Sequence, residues 1–349
     1  MLPEMKKSFL SMLFATLLFL LFYAAAELFL PVQQISRNLE IEIPKGTTFR
    51  QAVELLQDQN LIRDRRIFLI AARLTGSDRK IRAGYYSLWT GMSPFDILRV
   101  LLKGKIVEYE VKILEGDSLV EISEAFAGTG IISSAEFMAL AKDNDILAYH
   151  DIAAPSVEGY IFPDTYTIPK GMDARDAIDT MITRMREKYT EKLAARAREI
   201  GMTENQVLTL ASIIEKEAVI DSERSVISAV YHNRLRKNMP LQADPTSIYG
   251  IKSSKEKITL NDLKRKTPYN TYRVKGLPPG PIASPGLKSI VAALYPDNVP
   301  YLYFVAQDDR SHRFAESEKE HAENVRLYRA KKQEMKNPSK EGSDEKTPL

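Results

Sequence analysis

The stretch Thr203-Glu-Asn-Gln-Val-Leu-Thr-Leu-Ala-Ser-Ile-Ile-Glu-Lys-Glu217-Ala predicts a helix with two carboxylates at the margins of a buried face. Thr203 followed by Gln206 three residues later is a capping box, which marks a helix start. At about 100° per residue, one side carries the apolar residues Val207, Leu210, Ala211, Ile214 and Ala218, with Leu208 and Ile213 at its edges. Glu217 and Glu215 project at opposite margins of this stripe, whereas Lys216 points away.

The placement of these carboxylates predicts acid–base chemistry. Burial among aliphatic side chains disfavours the charged form of a carboxyl group, so its pKa rises. Such a group stays protonated near neutral pH and can donate the proton that cleavage of a glycosidic bond requires. The alternative is that each glutamate is the structural partner of an arginine, such as Arg224 or Arg234. The helix pattern alone is compatible with both interpretations.

Downstream of the helix, polar and aromatic side chains cluster in two short segments that precede a Pro- and Gly-rich stretch, Gly276–Gly286. Tyr rings offer flat faces to sugar rings, amides and carboxylates bond to hydroxyl groups, and Pro-rich loops hold such groups rigidly. The candidates for sugar positioning are Gln242, Asp244, Thr246, Tyr249, Asn270, Thr271 and Tyr272. As isolated patterns, both segments are also compatible with ordinary turn-rich connections.

The N-terminus predicts a membrane anchor. Lys6 and Lys7 precede an uncharged run, Ser8–Ala26, and Leu28–Val32 extends the apolar stretch past a single Glu27. About 20 apolar residues are enough to cross a bilayer. The flanking lysines predict a cytoplasmic N-terminus, so residues from 33 onward face outward from a cytoplasmic (inner) membrane that the chain crosses once. The alternative is a cleaved signal peptide, which would export the same residues.

An internal repeat with an offset of 70 residues follows the anchor. The first copy runs from Ile43 to Ile62 and the second from Ile113 to Ile132. Each copy predicts a strand, a glycine turn, an amphipathic helix and a second helix, with turns at Gly46 and Gly116 and second helices opening near Asp64 and Ser134. This arrangement resembles the LysM carbohydrate-binding module. The alternative is a repeat that only spaces the next domain from the membrane.

Composition narrows the class of protein. The 349 residues include 49 basic and 46 acidic ones without a block of like charge, which disfavours nucleic-acid binding. The chain has no cysteine and only four scattered histidines, so no metal site or cofactor is predicted. We expect an α+β protein divided into an anchor (1–32), a LysM-like region (33–155), a catalytic domain (156–332) and a charged, disordered tail (333–349).

Six ordered blocks resemble the YceG-like (MltG) family of endolytic murein transglycosylases. The blocks are Glu158-Gly-Tyr-Ile-Phe-Pro-Asp-Thr-Tyr166, Leu210-Ala-Ser-Ile-Ile-Glu-Lys-Glu217-Ala, Leu241-Gln-Ala-Asp-Pro-Thr, Tyr269-Asn-Thr-Tyr, Gly276-Leu-Pro-Pro-Gly280 and Tyr301-Leu-Tyr-Phe-Val. The resemblance extends from the anchor to about residue 330. It implies a membrane-bound enzyme that cuts inside nascent peptidoglycan strands, works beside the synthases and terminates elongation.

The resemblance also implies residue roles. Glu217 is the expected acid and base, and Glu215, which also matches the family motif, is a candidate for substrate binding whose exact role is open. The implied reaction joins the muramyl C6 hydroxyl to C1, giving a 1,6-anhydro end without water, a second carboxylate or a cofactor. Two alternatives remain: a non-catalytic peptidoglycan-binding scaffold, and a muramidase in which Asp244 is the second carboxylate.

Overall fold

The computed structural model describes the chain in five segments and divides it into two compact units. The segments are residues 2–35, 37–79, 81–251, 256–307 and 310–336. One unit comprises Met1–Glu110 with Thr167–Met172, and the other comprises Val111–Tyr166 with Asp173–Leu349. Helices and short two-stranded sheets confirm the mixed α+β class. The domain boundaries expected after residues 32, 155 and 332 stay a prediction.

The first helix, α1 (Leu2–Phe29), has the properties of a membrane span. Its stretch Lys7–Phe29 is 23 residues long, with a mean hydropathy of 2.2 and side chains that are not buried in the protein. A helix of this length extends about 35 Å, slightly more than the hydrocarbon thickness of a bilayer. One N-terminal helix is therefore long and apolar enough to cross a membrane, as the sequence predicts.

The first copy of the repeat folds around one antiparallel strand pair. Its elements are β1 (Asn38–Ile43), α2 (Phe49–Asp58), α3 (Arg65–Thr75), a 3-10 turn (Ser77–Arg79), β2 (Gly84–Trp89) and α4 (Pro94–Lys103). In the pair, Asn38 lies opposite Trp89 and Ile43 lies opposite Gly84. The three helices pack on one face of the strands, where alternate side chains such as Ile41 and Tyr86 are buried in the core.

The second copy repeats this backbone. Its elements are β3 (Glu108–Lys112), α5 (Leu119–Thr129), α6 (Ser134–Leu140), α7 (Asn144–Tyr149) and β4 (Thr165–Pro169), and β3 pairs with β4. Thr48 and Ser118, 70 residues apart, each form a capping box. Gly46 and Gly116 adopt φ values of +82° and +84°, which only glycine tolerates easily. The repeat is confirmed, and its identity as a LysM module stays a prediction.

The remaining elements are mainly helical and surround α10. They are α8 (Ala174–Lys188), α9 (Glu191–Glu199), α10 (Glu204–Glu217), α11 (Arg224–Arg236), α12 (Asp244–Ile248), α13 (Leu260–Lys264), α14 (Leu287–Leu294), β5 (Tyr303–Ala306), β6 (His312–Ala315) and α15 (Glu318–Lys336). Helix α15 continues to Lys336, into the segment expected to be a disordered tail, and residues 337–349 of that tail lie outside the described residues.

Helix α10 begins as predicted, but its surroundings differ from the prediction. Thr203 and Gln206 form the expected capping box. Every residue from Val207 to Ile214 is buried, including Thr209 and Ser212 on the side expected to face solvent. These hydroxyls donate to carbonyl groups of their own helix, at 2.6 and 2.7 Å, so their burial leaves no polar group unsatisfied. The predicted stripe is buried, and the opposite side of α10 is buried as well, because the helix packs against α9, α11, α12 and α14 and Ser212 contacts the backbone amide of Ile282.

Candidate active site

Glu217 is the last residue of α10 and the centre of the site. Ala218 leaves the helical conformation with φ −75° and ψ 123°, which ends the helix directly after the carboxyl-bearing residue. The hydroxyl of Tyr231, from α11, donates to Oε1 of Glu217 at 3.4 Å, a long hydrogen bond. Tyr231 itself is 1% exposed. One helix end and one buried phenol therefore hold this carboxyl group.

The environment of Glu217 favours its protonated form. Burial raises the pKa of this carboxyl group from 4.5 to about 8, and the negative charge of Asp244 acts in the same direction. The Tyr231 hydroxyl and the backbone amide of Asp244 partly oppose the rise because they stabilise the charged form. The C-terminal end of a helix also disfavours a negative charge. Glu217 is thus a carboxylic acid near neutral pH, as a general acid must be.

Asp244 and Tyr272 form the exposed side of the site. Asp244 is the first residue of α12, and its Oδ1 accepts a hydrogen bond of 2.5 Å from the Tyr272 hydroxyl. Burial and the neighbouring Asp244 carboxylate raise the pKa of Tyr272, and Glu217 contributes to the rise. Asp244 is therefore close enough to Glu217 and to Tyr272 to raise the pKa of both groups.

The side chain of Gln242 is held by Arg234, which the sequence analysis considered only as a partner for a glutamate. Arg234 is 7% exposed and donates from Nη1 to the Gln242 side chain at 3.1 Å and to the Leu241 carbonyl at 2.8 Å. Gln242 has a φ of +52°, an uncommon conformation for a residue with a side chain. Its strained backbone is fixed by Arg234, which keeps the exposed Gln242 amide beside Asp244.

Three predicted sugar-positioning residues lie inside the protein. Thr246, Asn270 and Thr271 are each 0% exposed. The hydroxyls of Thr246 and Thr271 bond to each other at 2.8 Å, and the Asn270 amide donates to the carbonyls of Leu263 and Arg265 behind α13. Direct sugar contact was therefore the wrong expectation for these three, because their polar groups join the two loops that carry Asp244 and Tyr272.

Tyr249 connects to a buried carboxyl group that sequence reasoning did not select. Its hydroxyl donates to Oε2 of Glu158 at 3.0 Å, and the Leu119 amide at the start of α5 donates to both carboxyl oxygens at 3.1 Å. Glu158 is 2% exposed, and burial raises its pKa to about 7. Tyr249, Glu158 and Lys216 line a cavity of about 730 Å³.

Glu215 has the structural role that the sequence offered as an alternative. Its side chain is 5% exposed and forms a 2.9 Å ion pair with Arg224. Its other oxygen accepts a 2.9 Å hydrogen bond from the backbone amide of Gly286, which caps α14. Both carboxylate oxygens are thus engaged by the protein, and Glu215 lies on the other side of α10 from the Glu217 partners. Its predicted contact with substrate is not favoured by this arrangement.

The sequence analysis did not select Tyr231 or Glu158, and it did not predict that Arg234 holds Gln242. The signal for Arg234 was present, because Ile227, Val230, Tyr231 and Arg234 follow helical i, i+3, i+4 and i+7 spacing and place a charge in a buried stripe. The same argument had selected Glu217. Glu158 opens a block noted only for its family resemblance, and no local pattern marks it as buried.

The fold and the site define a class of protein: an α+β protein in which burial and the charge of Asp244 raise the pKa of the Glu217 carboxyl group. Comparison with known proteins narrows this class. The chain belongs to the YceG-like family, whose model matches residues 41–327.

Named relatives support this assignment. An endolytic murein transglycosylase of Bacillus subtilis (strain 168) is 30% identical over 320 residues, which are 87% of this chain and 89% of the relative. An endolytic murein transglycosylase of Streptococcus pneumoniae (serotype 2, strain D39) is 28% identical over 85% of this chain and 59% of its own length. A yceG-like protein of Listeria monocytogenes has a crystal structure that matches with a TM-score of 0.58 and 32% identity, covering 83% of this chain and 100% of that one.

Proposed function

We propose that this chain is an endolytic peptidoglycan transglycosylase in which Glu217 is both the catalytic acid and the catalytic base. The observation that carries the proposal is the pKa of the Glu217 carboxyl group, which is about 8. The chain belongs to the YceG-like family, and its relative from Bacillus subtilis is named an endolytic murein transglycosylase. A group with this pKa is protonated at neutral pH and still loses its proton readily, so it can serve in both steps of a reaction.

The first step uses the protonated form. Glu217 donates its proton to the oxygen that links N-acetylmuramic acid to N-acetylglucosamine, and the bond from that oxygen to C1 breaks as positive charge develops at C1. The carboxylate that remains is stabilised by the Tyr231 hydroxyl and the Asp244 backbone amide. The Asp244 carboxylate lies close enough to favour the positive charge at C1.

The second step restores the acid. Glu217, now ionised, removes the proton of the muramyl C6 hydroxyl while its oxygen bonds to C1. The products are a 1,6-anhydro-muramyl end and a new N-acetylglucosamine end, and no water is consumed. Tyr272, whose pKa is raised by burial and to a smaller extent by Glu217, and Gln242, which is held by Arg234, would orient the sugars, whereas the buried Thr246, Asn270 and Thr271 fix the loops that carry them.

The apolar helix α1 supports a cellular placement for this reaction. We assign it as an uncleaved single-pass anchor in the cytoplasmic membrane, with the N-terminus inside and the residues from 33 onward outside. Anchoring would hold the enzyme where new glycan strands emerge, beside the synthases. Cutting inside such strands would end their elongation, so the partners of this chain would be nascent glycan, the membrane and a peptidoglycan synthase.

The experiment that tests the reaction is mass spectrometry of products from uncrosslinked glycan strands incubated with the full-length protein in detergent. We expect anhydro-muramyl ends from the wild type and a loss of at least about 1000-fold in Glu217→Gln, since the general acid is removed. Glu199→Gln is the matched control because the Glu199 side chain is 64% exposed and lies at the end of α9, before the start of α10, whereas Glu217 is the last residue of α10. Reducing ends without anhydro sugar would contradict the proposed reaction and indicate a muramidase. Bound but intact glycan would indicate a scaffold.

A further inference from the structure

The solvent face of α3 combines aliphatic and basic side chains. The helix has the sequence Arg-Arg-Ile-Phe-Leu-Ile-Ala-Ala-Arg-Leu-Thr and contains no acidic residue. Phe68, Ala71 and Ala72 face the core. On the opposite face, Ile70 and Leu74 are 60% and 83% exposed although they lie one helical turn apart and form a continuous apolar strip.

Two arginines border this strip. Arg66 and Arg73 are exposed and, at about 100° per residue, lie on the same side of the helix as Ile70 and Leu74. Large aliphatic side chains on a water-facing helix are unfavourable, and two of them side by side need a reason. An amphipathic face that carries both aliphatic and basic residues is typical of helices that lie in the surface of an anionic membrane.

The position of α3 next to the end of α1 supplies the second observation. Arg63, which precedes the N-cap of α3, donates to the carbonyl of Pro31 at 2.6 Å, and α3 also contacts α1 directly. Phe29 ends α1 and is 57% exposed, and its ring lies 5.1 Å from the ring of Phe95 in α4. The first unit is therefore packed against the membrane-proximal end of the anchor, within a few residues of the bilayer boundary.

We propose that the outer face of α3 is a second membrane contact, in which Ile70 and Leu74 insert at the level of the lipid headgroups and Arg66 and Arg73 bind phospholipid phosphates. The inference rests on the anchor proposed above, and it is independent of the catalytic reaction. The contact continues the surface that α1 already places in lipid, and the charge of α3 is complementary to anionic headgroups. The second contact would hold the orientation of the first unit more firmly than its packing against the end of α1 does alone.

The test uses the absence of native cysteine to place single fluorescent labels in the full-length protein. Leu74→Cys reports on α3, and Leu260→Cys is the matched control because Leu260 is a leucine of similar exposure, 76%, in α13 of the other unit. Leu18→Cys in α1 reports on the anchor itself. Each protein is labelled with an environment-sensitive dye and reconstituted into phosphatidylcholine vesicles, with and without phosphatidylglycerol. Quenching by lipid-borne nitroxides is then measured.

We expect strong quenching at position 18 and quenching at position 74 that is at least about twice that at position 260, because an interfacial helix lies only 5–10 Å into the bilayer surface. Phosphatidylglycerol should increase the signal at position 74, and the double substitution Arg66→Glu with Arg73→Glu should remove that increase. Equal quenching at positions 74 and 260, with position 18 quenched, would overturn the α3 contact and leave the anchor intact. No quenching at position 18 would overturn the anchor and with it this inference.

Discussion

The Tyr231 hydroxyl lies 3.4 Å from Oε1 of Glu217, and both groups are held on helices that meet at the end of α10. The phenol stabilises the charged carboxylate, whereas burial stabilises the neutral acid. The balance of these opposing effects determines the pKa of the group on which the proposed reaction depends. Changing either residue should therefore alter the pH dependence of activity as well as its magnitude.

Tyr231→Phe should raise the pKa of Glu217 further, because a hydrogen bond to the charged form is lost. The resulting carboxylate would be less stable after proton donation, so we expect kcat to fall by about 10- to 100-fold. A pH profile of kcat should show the high-pH loss of activity moving to higher pH. Tyr189→Phe is the matched control, since Tyr189 is 8% exposed and its hydroxyl has no hydrogen-bond partner in the described structure. Identical profiles for the two variants would contradict the role of Tyr231.

Asp244→Asn should shift the same profile in the opposite direction. The Asp244 charge raises the pKa of Glu217, so its removal lowers that pKa and moves the high-pH loss of activity to lower pH. At pH 7 a smaller fraction of Glu217 would remain protonated, which lowers kcat. Tyr272→Phe removes the 2.5 Å hydrogen bond to Asp244 but keeps the negative charge of Asp244. Comparing the two variants therefore distinguishes the effect of the Asp244 charge from the effect of its position. A profile for Asp244→Asn that matched the wild type would exclude the electrostatic coupling.

Glu215→Gln should reduce stability rather than chemistry. The neutral side chain would leave the buried Arg224 with only the more exposed Asp221 as an ion-pair partner, at a cost of about 1.5–3 kcal/mol in the free energy of unfolding. Urea unfolding measures this loss, and assays below the unfolding midpoint should show kcat within about threefold of the wild type, because no bond to substrate is removed. A loss of kcat comparable with that of Glu217→Gln, in a folded protein, would instead place Glu215 in the reaction.

The two buried acids should make stability fall as pH rises. Glu217 and Glu158 have pKa values of about 8 and about 7 in the folded chain, both above the ordinary value of 4.5. Between pH 4.5 and pH 8 the folded chain binds more protons than the unfolded chain, so their contribution is complete below pH 4.5 and is lost as pH rises through these values. Replacing Glu217 with Gln should remove a fall of roughly 3–5 kcal/mol over that range. Urea unfolding at pH 5 and pH 8 checks this, and equal pH slopes in variant and wild type would contradict it.

Gly159→Ala should destabilise the chain for two reasons. Gly159 has a φ of +75°, and an added Cβ would lie 2.3 Å from the ring of Pro281, which cannot move away easily. We expect a loss of about 2–4 kcal/mol in unfolding free energy from backbone strain and overpacking together. Gly201→Ala is the control for strain alone, because Gly201 has a φ of +70° with open space around it. Equal losses in both variants would show that the contact with Pro281 is not restrictive.

Local signals predicted local structure well. The capping box at Thr203, the turns at Gly46 and Gly116 and the apolar span of α1 depend on residues close in sequence, and all are present in the structure. The predicted position of Glu217 within a buried region also holds. These features depend on side chains bonding to their own backbone or on simple periodicity, which a sequence displays directly.

Features that depend on distant partners were not predictable in the same way. Asn270 was expected at a sugar-binding surface, but it is buried because the carbonyls of α13 accept its amide. The burial of Val207–Ile214 on all sides of α10 depends on helices such as α14, which lies about 70 residues further along the chain. The spacing of apolar residues within a helix does not show which distant element covers each of its faces.

The hydrogen bonds of Glu158 limit how this protein can be divided. A fragment that begins at residue 156 would retain Glu158 and Tyr249. It would lose the backbone amide at the start of α5, which donates hydrogen bonds to the Glu158 carboxyl group. It would then contain a buried acid with fewer partners and an exposed apolar surface where α5 had packed. A portable fragment would have to include all of β3 (Glu108–Lys112), the first element of the second repeat copy. In an evolutionary comparison, gain or loss of the first repeat copy alone is therefore easier to accommodate than loss of the second.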